Sequence, residues 1–580
     1  MSIDPKASFI RSLCIGAIKE EILFPYPKME EEERETVSSV IDSFNSWLND
    51  KTEDFRAWDV KGELPEAVLN EMKEMGLFGL IIPEDFGGMG FSTSAYSRSM
   101  QALVYHDGSL AITAGAHSSI GMKGLLMFGT EEQKKKYLPK LSTGEMIAAY
   151  CLTEPGAGSD AASIKTKAVK EGDHWVLSGE KLWITNGGIA DFFTVFASTD
   201  TEEGKITAFI VTKDLEGITI GPHEDKMGLR ASSTTTVHFD KVRVPQENVL
   251  GEVGKGFKVA VKILNNGRTG LGGGCIGGMK KCIDMAIKQA SERKQFGQPI
   301  SDFGLIKKKI GQMTVDCYTS ESVVNLVSGL IDQGYEDYAV EAAISKVYAT
   351  DALWRTVDEA LQVSGGNGYM REFPYERILR DSRVNRIFEG TNDILHLFIG
   401  LTAMKDAADQ LKELAKTIGK PGKVFGDPIK GFGVFADYAK KTIASATGVG
   451  SSRFTKAPPA LRTQCVLFEG LVRRLSGAVD RIIRKHGKRI IGKQLATQRL
   501  AAIIIDLFVF SCTISRVSQS IEEKGEEGAK REIDILDIFA FQANDRILNT
   551  LRKIDENVDE LLKSTSEFMV EEQRYSWDNI

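Results

Sequence analysis

The spacing of apolar residues changes along the chain and predicts an alternation of helical and β-rich domains. Across residues 30–146 apolar and charged residues alternate at helical spacing, as in EEERETVSSVIDSFNSWLND, which predicts an α-helical domain. Across residues 147–254 short runs rich in β-branched and aromatic residues, such as FFTVFAST and ITAFIVT, predict a small β domain. Helical spacing returns over residues 255–417, where EAAISKVYATDALWRTVDEALQVSGG is the clearest example.

The two ends of the chain and one internal stretch complete this plan. Residues 460–580 carry long amphipathic patterns that predict a C-terminal helical domain. Residues 418–459 contain the Gly- and Pro-rich stretch GKPGKVFGDPIKGFG and are predicted to be a linker. Residues 1–29 are predicted to be an N-terminal extension. The predicted fold class is α+β and mostly α.

Composition fits a globular protein of several domains and argues against some other classes. The 580 residues exceed what one hydrophobic core usually organises. Hydrophobic residues make up 42% and charged residues 26%, which is ordinary for a folded protein. A formal charge of -7 disfavours a general nucleic-acid binder. No segment approaches about 20 uninterrupted apolar residues, so no membrane span is expected.

The cysteines indicate a reducing compartment. All seven are scattered, with no CxxC and no companion His spacing, so neither a disulfide framework nor a metal site is predicted. The start of the chain, MSIDPKASFIRSLCIGAIKEEILF, is unlike a signal or transit peptide. We therefore expect the bacterial cytoplasm, with a processed mitochondrial protein as the alternative.

One glycine motif is a weak signal. Gly272, Gly274 and Gly277 in GGGCIGG match the dinucleotide pattern GxGxxG, but the preceding run GFKVAVKILNNGRTGL predicts a helix where the motif requires a strand. Close packing of helices explains these glycines better.

Four other stretches are candidate ligand contacts. YCLTEPGAGSD leaves a strand and enters a turn whose backbone N–H groups and hydroxyls suit a polar ligand. KLWITNGG alternates Trp with Thr, which suits a flat ring, although a core Trp is the alternative. ERKQFGQPI and QVSGGNGY each read as a helix terminus.

A fifth stretch, RIFEGTNDIL, places Glu389 between an aromatic ring and a glycine. By itself this acid could be a charge that stabilises the N-terminus of the following helix. The order of all five stretches resembles that of the acyl-CoA dehydrogenase family, and the match covers nearly the whole chain. The stretches FPYP, GAHSSIGMKG and ILNNGR and the additional C-terminal domain resemble the very-long-chain branch. The resemblance implies an α-helical domain, a β-barrel, an α-helical bundle and an appended helical domain.

The resemblance also implies a reaction and a cofactor. Members of the family desaturate an acyl-CoA thioester between Cα and Cβ in fatty acid β-oxidation: a carboxylate removes the α proton and N5 of FAD takes the β hydride. Glu389 stands at the position of this base, with Phe388 and Gly390 as its neighbours on the substrate side. A dry site and a polarised thioester carbonyl are needed to make a carboxylate strong enough.

The remaining contacts are implied by position in the family's motifs. The expected contacts with the flavin ring and pyrophosphate are Tyr150, Leu152, Thr153, Gly158, Ser159, Trp183, Ile184, Thr185, Thr391 and Asp393. The residues expected to reach the adenosine end of FAD from a neighbouring subunit are Arg293, Phe296, Gln362, Gly365 and Gly366, which implies at least a homodimer. The residues expected near the acyl-CoA head are Ser159, Asp160, Asn265 and Arg268, although a surface ion pair is the alternative for Arg268.

Chain length is a separate hypothesis. Gly121 and Gly124 are three residues apart on an expected helix and leave one of its faces without side chains, so an acyl tail could pass there. Close helix packing is the alternative explanation. Long or very long acyl chains are therefore expected but not established by the sequence.

The C-terminal addition has a charge signal of its own. From Lys456 to Arg499 eleven Lys or Arg residues stand against two acids, Glu469 and Asp480. Apolar residues including Leu471, Leu475 and Val479 recur at helical spacing, as in a basic helix that lies on an anionic membrane. An apolar stripe that packs inside the protein is the alternative.

Two alternative functions remain open at this stage. An acyl-CoA oxidase would keep most of these residues but pass electrons to oxygen in place of an electron-transfer flavoprotein. A dehydrogenase-like scaffold or assembly protein would be expected to lose the base or the flavin motifs, and here both are intact.

Overall fold

The computed structural model describes residues 8–200, 205–409 and 453–578. Most of the predicted linker 418–459 lies outside the described residues. The described chain forms two compact units, of which one is Tyr26–Ile394 and the other combines residues 8–25 with the described residues from Leu395 onward.

The described α-helices are α1 (Phe9–Cys14), α2 (Glu31–Asn49), α3 (Asp54–Lys61), α4 (Glu66–Glu74), α5 (Thr93–His106), α6 (Gly108–Gly115), α7 (Lys123–Phe128), α8 (Glu131–Ser142), α9 (Gly256–Glu292), α10 (Gly304–Asp332), α11 (Ala339–Ser364), α12 (Gly366–Tyr369), α13 (Tyr375–Arg383), α14 (Asn392–Ala403), α15 (Arg462–His486), α16 (Gln494–Gly528), α17 (Lys530–Asp555) and α18 (Asp559–Glu572). The strands are β1 (Ala148–Cys151), β2 (Lys167–Glu171), β3 (His174–Thr185), β4 (Phe192–Asp200), β5 (Lys205–Thr212), β6 (Ile218–Ile220), β7 (Thr234–Pro245), β8 (Val249–Leu250), β9 (Lys294–Gln295) and β10 (Gln298–Pro299).

The N-terminal helices of the first unit begin at side-chain caps that the sequence supplies. Ser92 caps α5 by accepting from the Ala95 N–H, and Asp107 caps α6 by accepting from the Leu110 N–H. Between α6 and α7 the backbone widens into a π turn, Ala116–Gly121. Such turns are often found at functional sites, and this one lies beside the candidate site.

The β domain is a single sheet in the order β6-β7-β3-β2-β4-β5-β8, with β1 pairing in parallel with β4. Phe193, Val195 and Phe209 are fully buried among its core residues. The pairing of β3 with β7 shifts register between Lys181 and Ile184. This irregularity turns Trp183 outward, with 63% of its surface exposed and φ at 58°.

Three long helices, α9, α10 and α11, form the bundle that follows the sheet. The glycines of α9 allow neighbouring backbones to approach closely: a Cβ on Gly277 would lie 2.1 Å from the Gln101 oxygen of α5, and one on Gly272 would lie 2.8 Å from Val324 of α10. GGGCIGG is therefore a packing motif inside a helix, as the sequence indicated.

The second unit combines both ends of the chain. In α1, Phe9 is fully buried and its ring lies 6.0 Å from that of Phe508 in α16, so part of the predicted N-terminal extension contributes to this core. The apolar stripe of α15, including Leu471, Leu475 and Val479, is buried within the same unit. The described helices include one, α16, that is long and apolar enough to cross a membrane, but 83% of its most apolar window is buried inside the protein, as in a core helix.

Candidate active site

The turn that carries Glu389 has an unusual backbone. It follows α13 and the short turn Val384–Arg386 and leads into α14. Glu389 has φ 55° and Gly390 has φ 94°. The left-handed region costs a non-glycine residue about 1 kcal/mol or more, so the surrounding structure must hold Glu389 there. Thr391 Oγ1 accepts a 3.3 Å hydrogen bond from the Ile394 N–H and caps α14.

The Glu389 carboxylate lies in a nearly dry place. Its Oε2 is fully buried and accepts no hydrogen bond from any residue that the structure describes. A Cβ on Gly267 of α9 would lie 3.6 Å from Oε2, in van der Waals contact, so this glycine lies directly beside the carboxylate. Burial raises the pKa of Glu389, and the Arg268 guanidinium and then the Lys346 ammonium oppose the rise.

Arg268 is buried beside this acid. It is 7% exposed, and its Nη1 donates a 2.7 Å hydrogen bond to Oδ1 of Asn265, which is also buried. Burial lowers the pKa of Arg268, and Glu389 opposes that change. The alternative of a surface ion pair for Arg268 is therefore wrong, because the side chain is buried near Glu389.

Two tyrosines complete the surroundings of Glu389. Burial raises the pKa of Tyr150 and of Tyr96, and the nearby Glu389 charge raises both further. Tyr150 was predicted from its motif. Tyr96 was not, because an isolated Tyr in an amphipathic helix gives no signal of its own.

Lys346 is a second residue that the sequence did not reveal. It is fully buried in the middle of α11, and its Nζ donates to the Gly390 carbonyl at 2.9 Å and to Asn392 Oδ1 at 2.8 Å. The only available signal was a single Lys inside the apolar run EAAISKVYATDALW.

On the sheet side, an internal ion pair fixes the loop YCLTEPGAGSD. Lys181 of β3 is fully buried and its Nζ lies 2.7 Å from Oε1 of Glu154. The Leu182 N–H donates to the Thr153 carbonyl at 2.9 Å, which joins this loop to the strand that bears Trp183. Although burial alone would raise the pKa of Glu154, the Lys181 ammonium and hydrogen bonds lower it.

The resulting surface fits a flat ring with polar edges. Trp183 is exposed while Leu152 and Ile184 beside it are buried. A Cβ on Gly158 would meet no atom within 4 Å, so its loop is open to a ligand. Thr153 and Thr185 are half-buried, whereas Ser159 and Asp160 are exposed. These residues are suitable for holding FAD.

The remaining predicted contacts lie either in the turn beside Glu389 or at the exposed positions expected to meet the adenosine end of FAD. Phe388 and Thr391 are half-buried next to Glu389, and Asp393 is exposed in the first turn of α14. The five residues expected at the adenosine end are all exposed in this chain: Arg293, Phe296, Gln362, Gly365 and Gly366. From Gly267 to Arg293 α9 rises about 39 Å, and from Lys346 to Gln362 α11 rises about 24 Å, so both helices carry this second set away from the chain's own Glu389.

A mostly apolar pocket begins at Glu389. Beside the acid it is lined by Tyr96, Ser119 and Gly270, and it continues along α9 past Gly274 and Gly278 to Lys281. Apolar walls are contributed by Met100, Val104, Ile112, Leu271, Leu353 and Ile378, and polar or charged groups by Tyr105, His106, Asp107, Arg377, Asp381, Ser382 and Asn385. Between Gly270 and Lys281 α9 rises about 17 Å, which is the length of the pocket along that helix.

Gly121 and Gly124 do not line this pocket. A Cβ on Gly121 would lie 2.9 Å from Ala148, and one on Gly124 would lie 2.9 Å from Ile263 and from Leu250. The close-packing alternative therefore explains this pair. The glycines that leave room along the pocket are Gly270, Gly274 and Gly278.

The sequence matches models of four protein domains in succession. These are "Acyl-CoA dehydrogenase, N-terminal domain" at residues 31–145, "Acyl-CoA dehydrogenase, middle domain" at 149–242, "Acyl-CoA dehydrogenase, C-terminal domain" at 254–404 and "ACAD9/ACADV, C-terminal domain" at 459–575. The last match covers most of the predicted C-terminal addition.

Individual proteins are similar over almost the full length. The human "Very long-chain specific acyl-CoA dehydrogenase, mitochondrial" is 42% identical over 559 residues, which is 94% of this chain and 84% of the human protein. A crystal structure of a Bacillus anthracis acyl-CoA dehydrogenase complexed with FAD has a TM-score of 0.80 at 33% identity and covers 98% of this chain and 96% of its own. The Megasphaera elsdenii butyryl-CoA dehydrogenase has a TM-score of 0.62 at 34% identity and covers 65% of this chain and 98% of its own.

Proposed function

The chain belongs to the acyl-CoA dehydrogenase family, and from that premise we propose which of its residues carry the reaction. It dehydrogenates acyl-CoA thioesters in fatty acid β-oxidation and uses FAD. We assign the removal of the α proton to Glu389. The observation that supports this assignment is its buried Oε2, which accepts no hydrogen bond from the described residues and opens into an apolar pocket.

Burial and charge set the strength of this base. Because burial raises the pKa of Glu389, its carboxylate takes up a proton more readily than an exposed one. Phe388 and the acyl chain exclude water. The Glu389 N–H has no acceptor among the described residues and is proposed as the donor that polarises the thioester carbonyl and acidifies the α proton. Asn265 fixes Arg268 beside the base, and both remain proposed contacts near the acyl-CoA head.

The proposed FAD site lies between the sheet and the Glu389 turn. When bound there, FAD accepts the hydride from Cβ. Trp183, Leu152 and Ile184 would support the ring, and Tyr150, Thr153, Thr185, Thr391 and Asp393 would contact its edges and the ribityl chain. Gly158 and Ser159 would bind the pyrophosphate, while Ser159 and Asp160 would face the head of the acyl-CoA.

The adenosine end of FAD is proposed to be held by a second copy of the chain. Phe296 is 94% exposed at the tip of the β9–β10 hairpin, and exposed aromatic residues are typical of interfaces. With Arg293, Gln362, Gly365 and Gly366 it would complete the partner's site. The protein would then be at least a homodimer.

Long acyl chains are the proposed substrates. The pocket extends about 17 Å along α9 from its end beside the base, well beyond a butyryl chain. Met100 lines the pocket, and its flexible thioether can adapt to the tail.

Electron-transfer flavoprotein is the proposed electron acceptor. The proposed compartment is the bacterial cytoplasm, with the mitochondrial matrix as the alternative, because all seven cysteines are buried thiols and form no disulfide among the described residues. Peripheral contact with an anionic membrane is proposed through the basic cluster, defined here as Lys485, Arg489 and Lys493. All three are exposed next to Ile491, which is 71% exposed. The buried stripe of α15 is not available for this purpose.

Anaerobic addition of palmitoyl-CoA to the purified holoenzyme tests the reaction. We expect the visible flavin band to bleach and trans-2-enoyl-CoA to form. Glu389→Gln should retain bound FAD and lose turnover by several orders of magnitude; normal turnover of that variant would overturn the assignment. Peroxide release in air at the rate of turnover would indicate an oxidase instead of a dehydrogenase that reduces electron-transfer flavoprotein.

A further inference from the structure

The turn that carries Glu389 is anchored by one helix. Lys346 and Thr350 are four residues apart and therefore lie on the same face of α11. Lys346 Nζ donates to the Gly390 carbonyl at 2.9 Å and to Asn392 Oδ1 at 2.8 Å. Asn392 Nδ2 in turn donates to Thr350 Oγ1 at 3.0 Å and to Asp351 Oδ1 at 3.0 Å.

These bonds lie immediately after the base. The Gly390 carbonyl belongs to the residue next to Glu389, and the backbone there has φ 55° followed by φ 94°. A left-handed pair of residues persists only where other groups hold it. Lys346 is the cation that reaches both ends of this turn.

Lys346 does not contact the carboxylate through a hydrogen bond. Oε2 of Glu389 has no hydrogen-bond partner among the described residues, and both hydrogen bonds given for Lys346 Nζ go to Gly390 and Asn392. The lysine therefore acts on Glu389 in two indirect ways, through the backbone that aims it and through charge. Burial lowers the pKa of Lys346 to about 8, and the Glu389 charge opposes this.

We propose that Lys346 is a positioning residue for dehydrogenation, whose ammonium holds Gly390 and Asn392 so that the Glu389 carboxylate points at the substrate α carbon. The inference rests on the proposed role of Glu389. No described hydrogen bond of Lys346 reaches the predicted FAD contacts of the sheet, so its loss should affect proton removal more strongly than cofactor binding, to which only Thr391 and Asp393 of this turn would contribute.

The test compares Lys346→Met with Lys346→Arg in the FAD-bound enzyme. Met has similar length but no charge or donor, and a shift of about 1 Å in a reacting group can cost about 100-fold, so we expect kcat to fall about 100-fold with KM nearly unchanged. Loss of the cation should also raise the pKa of Glu389 and move the acid limb of the pH profile of kcat/KM to higher pH. Lys346→Arg keeps charge and donors and should restore the acid limb and most of kcat.

Lys280→Met is the matched control. Lys280 lies in the same bundle and its Nζ donates to Glu321 at 2.6 Å, but it makes no described contact with the turn. Equal kcat in the two Met variants, with an unmoved acid limb in Lys346→Met, would overturn the proposal.

If Lys346→Met does not fold, Asn392→Ala tests the positioning role of Lys346 in its place. It removes one acceptor but keeps the charge, so we expect a smaller loss of kcat with the acid limb in place, and unchanged kcat would overturn the proposal.

Glu389→Gln distinguishes a failure of the proposed role of Lys346 from a failure of the proposed role of Glu389. If it is inactive while Lys346→Met is normal, only the role of Lys346 fails; if it is active, the proposed function of Glu389 fails.

Discussion

Nη1 of Arg268 donates a 2.7 Å hydrogen bond to Oδ1 of Asn265, one turn earlier on α9, and both side chains are buried. This bond fixes the direction of the guanidinium in a place where water cannot screen it. Arg268 is the stronger of the two cations that lower the pKa of Glu389 against the effect of burial. The pair therefore limits how basic the carboxylate becomes.

Replacing Arg268 should change the pH dependence of the reaction. In Arg268→Met the opposing charge is lost, so the pKa of Glu389 should rise and the acid limb of kcat/KM should move to higher pH. Rapid-mixing measurements of flavin bleaching across a pH series would give the position of the acid limb. Asn265→Ala, which keeps the charge but frees its direction, should give a smaller shift of the same sign. A limb that stays in place in Arg268→Met would contradict the assigned electrostatics.

Glu389 should also reduce the stability of the fold once it is ionised. Its pKa in the folded chain is raised above the unfolded value, so the group costs nothing below the unfolded pKa, and the cost grows as the pH rises from the unfolded to the folded pKa and is constant above that. We therefore expect Glu389→Gln to have a higher Tm than the wild type at pH 8. The difference should shrink as the pH is lowered toward 4. Calorimetry of both proteins without substrate measures it, and a lower Tm at pH 8 would contradict the burial argument.

Much of the site was predictable because its chemistry is local in sequence. Glu389, Trp183 and the loop from Tyr150 to Asp160 lie in short stretches whose composition or resemblance could be read directly. Lys346 could not be found in this way. It meets Gly390 only after α11 and the turn pack together, and a lysine in a helix is ordinary until its burial is known.

Two predictions left alternatives open because the sequence could not separate them, and the reason is physical. Gly121 and Gly124 lack side chains on one face, but helix spacing does not say whether a neighbour or an open space lies against that face. The apolar stripe of α15 shows the same ambiguity, since a membrane and a protein core select the same pattern. In both cases the function of the helix face depends on what packs against it, which the sequence pattern does not show.

Filling the far part of the pocket should shorten the preferred acyl chain. A Cβ on Gly278 would lie 3.0 Å from Cδ1 of Leu353, so Gly278→Leu would occupy that space. At about 0.8 kcal/mol per buried methylene, excluding three methylenes would lower kcat/KM for palmitoyl-CoA about 50-fold. Activity with hexanoyl-CoA should be nearly unchanged. Gly311→Leu, where a Cβ meets no atom within 4 Å, is the matched control. An equal loss for both substrates would rule out this pocket as the site of the acyl tail.

The basic cluster should bind anionic vesicles in a salt-dependent manner. Lys485, Lys493 and Arg489 lie close enough to His486 to add to the effect of burial in lowering its pKa, so their charges are concentrated. Each basic residue near an anionic surface contributes about 1 kcal/mol, so replacing all three by Gln should weaken binding at least about 100-fold. Flotation with phosphatidylserine vesicles at low and high salt measures this. If the wild type does not bind the vesicles at low salt, the membrane proposal is ruled out. The proposed role of Glu389 in catalysis is unaffected by that result.

The exposed hairpin residue Phe296 should support FAD in a second copy of the chain. If its ring is buried against the partner's cofactor, Phe296→Ser loses about 1.5 kcal/mol or more, and the Kd for FAD should rise at least about tenfold. Sedimentation should show a dimer for the wild type. The control is Phe541→Ser, which replaces another exposed Phe far along the chain, 70% exposed on α17. Because Phe296 lies about 40 Å along α9 from the chain's own Glu389, a loss of FAD could not come from the same subunit. Normal FAD affinity in Phe296→Ser, or a monomeric wild type with full activity, would show that each subunit holds its cofactor alone.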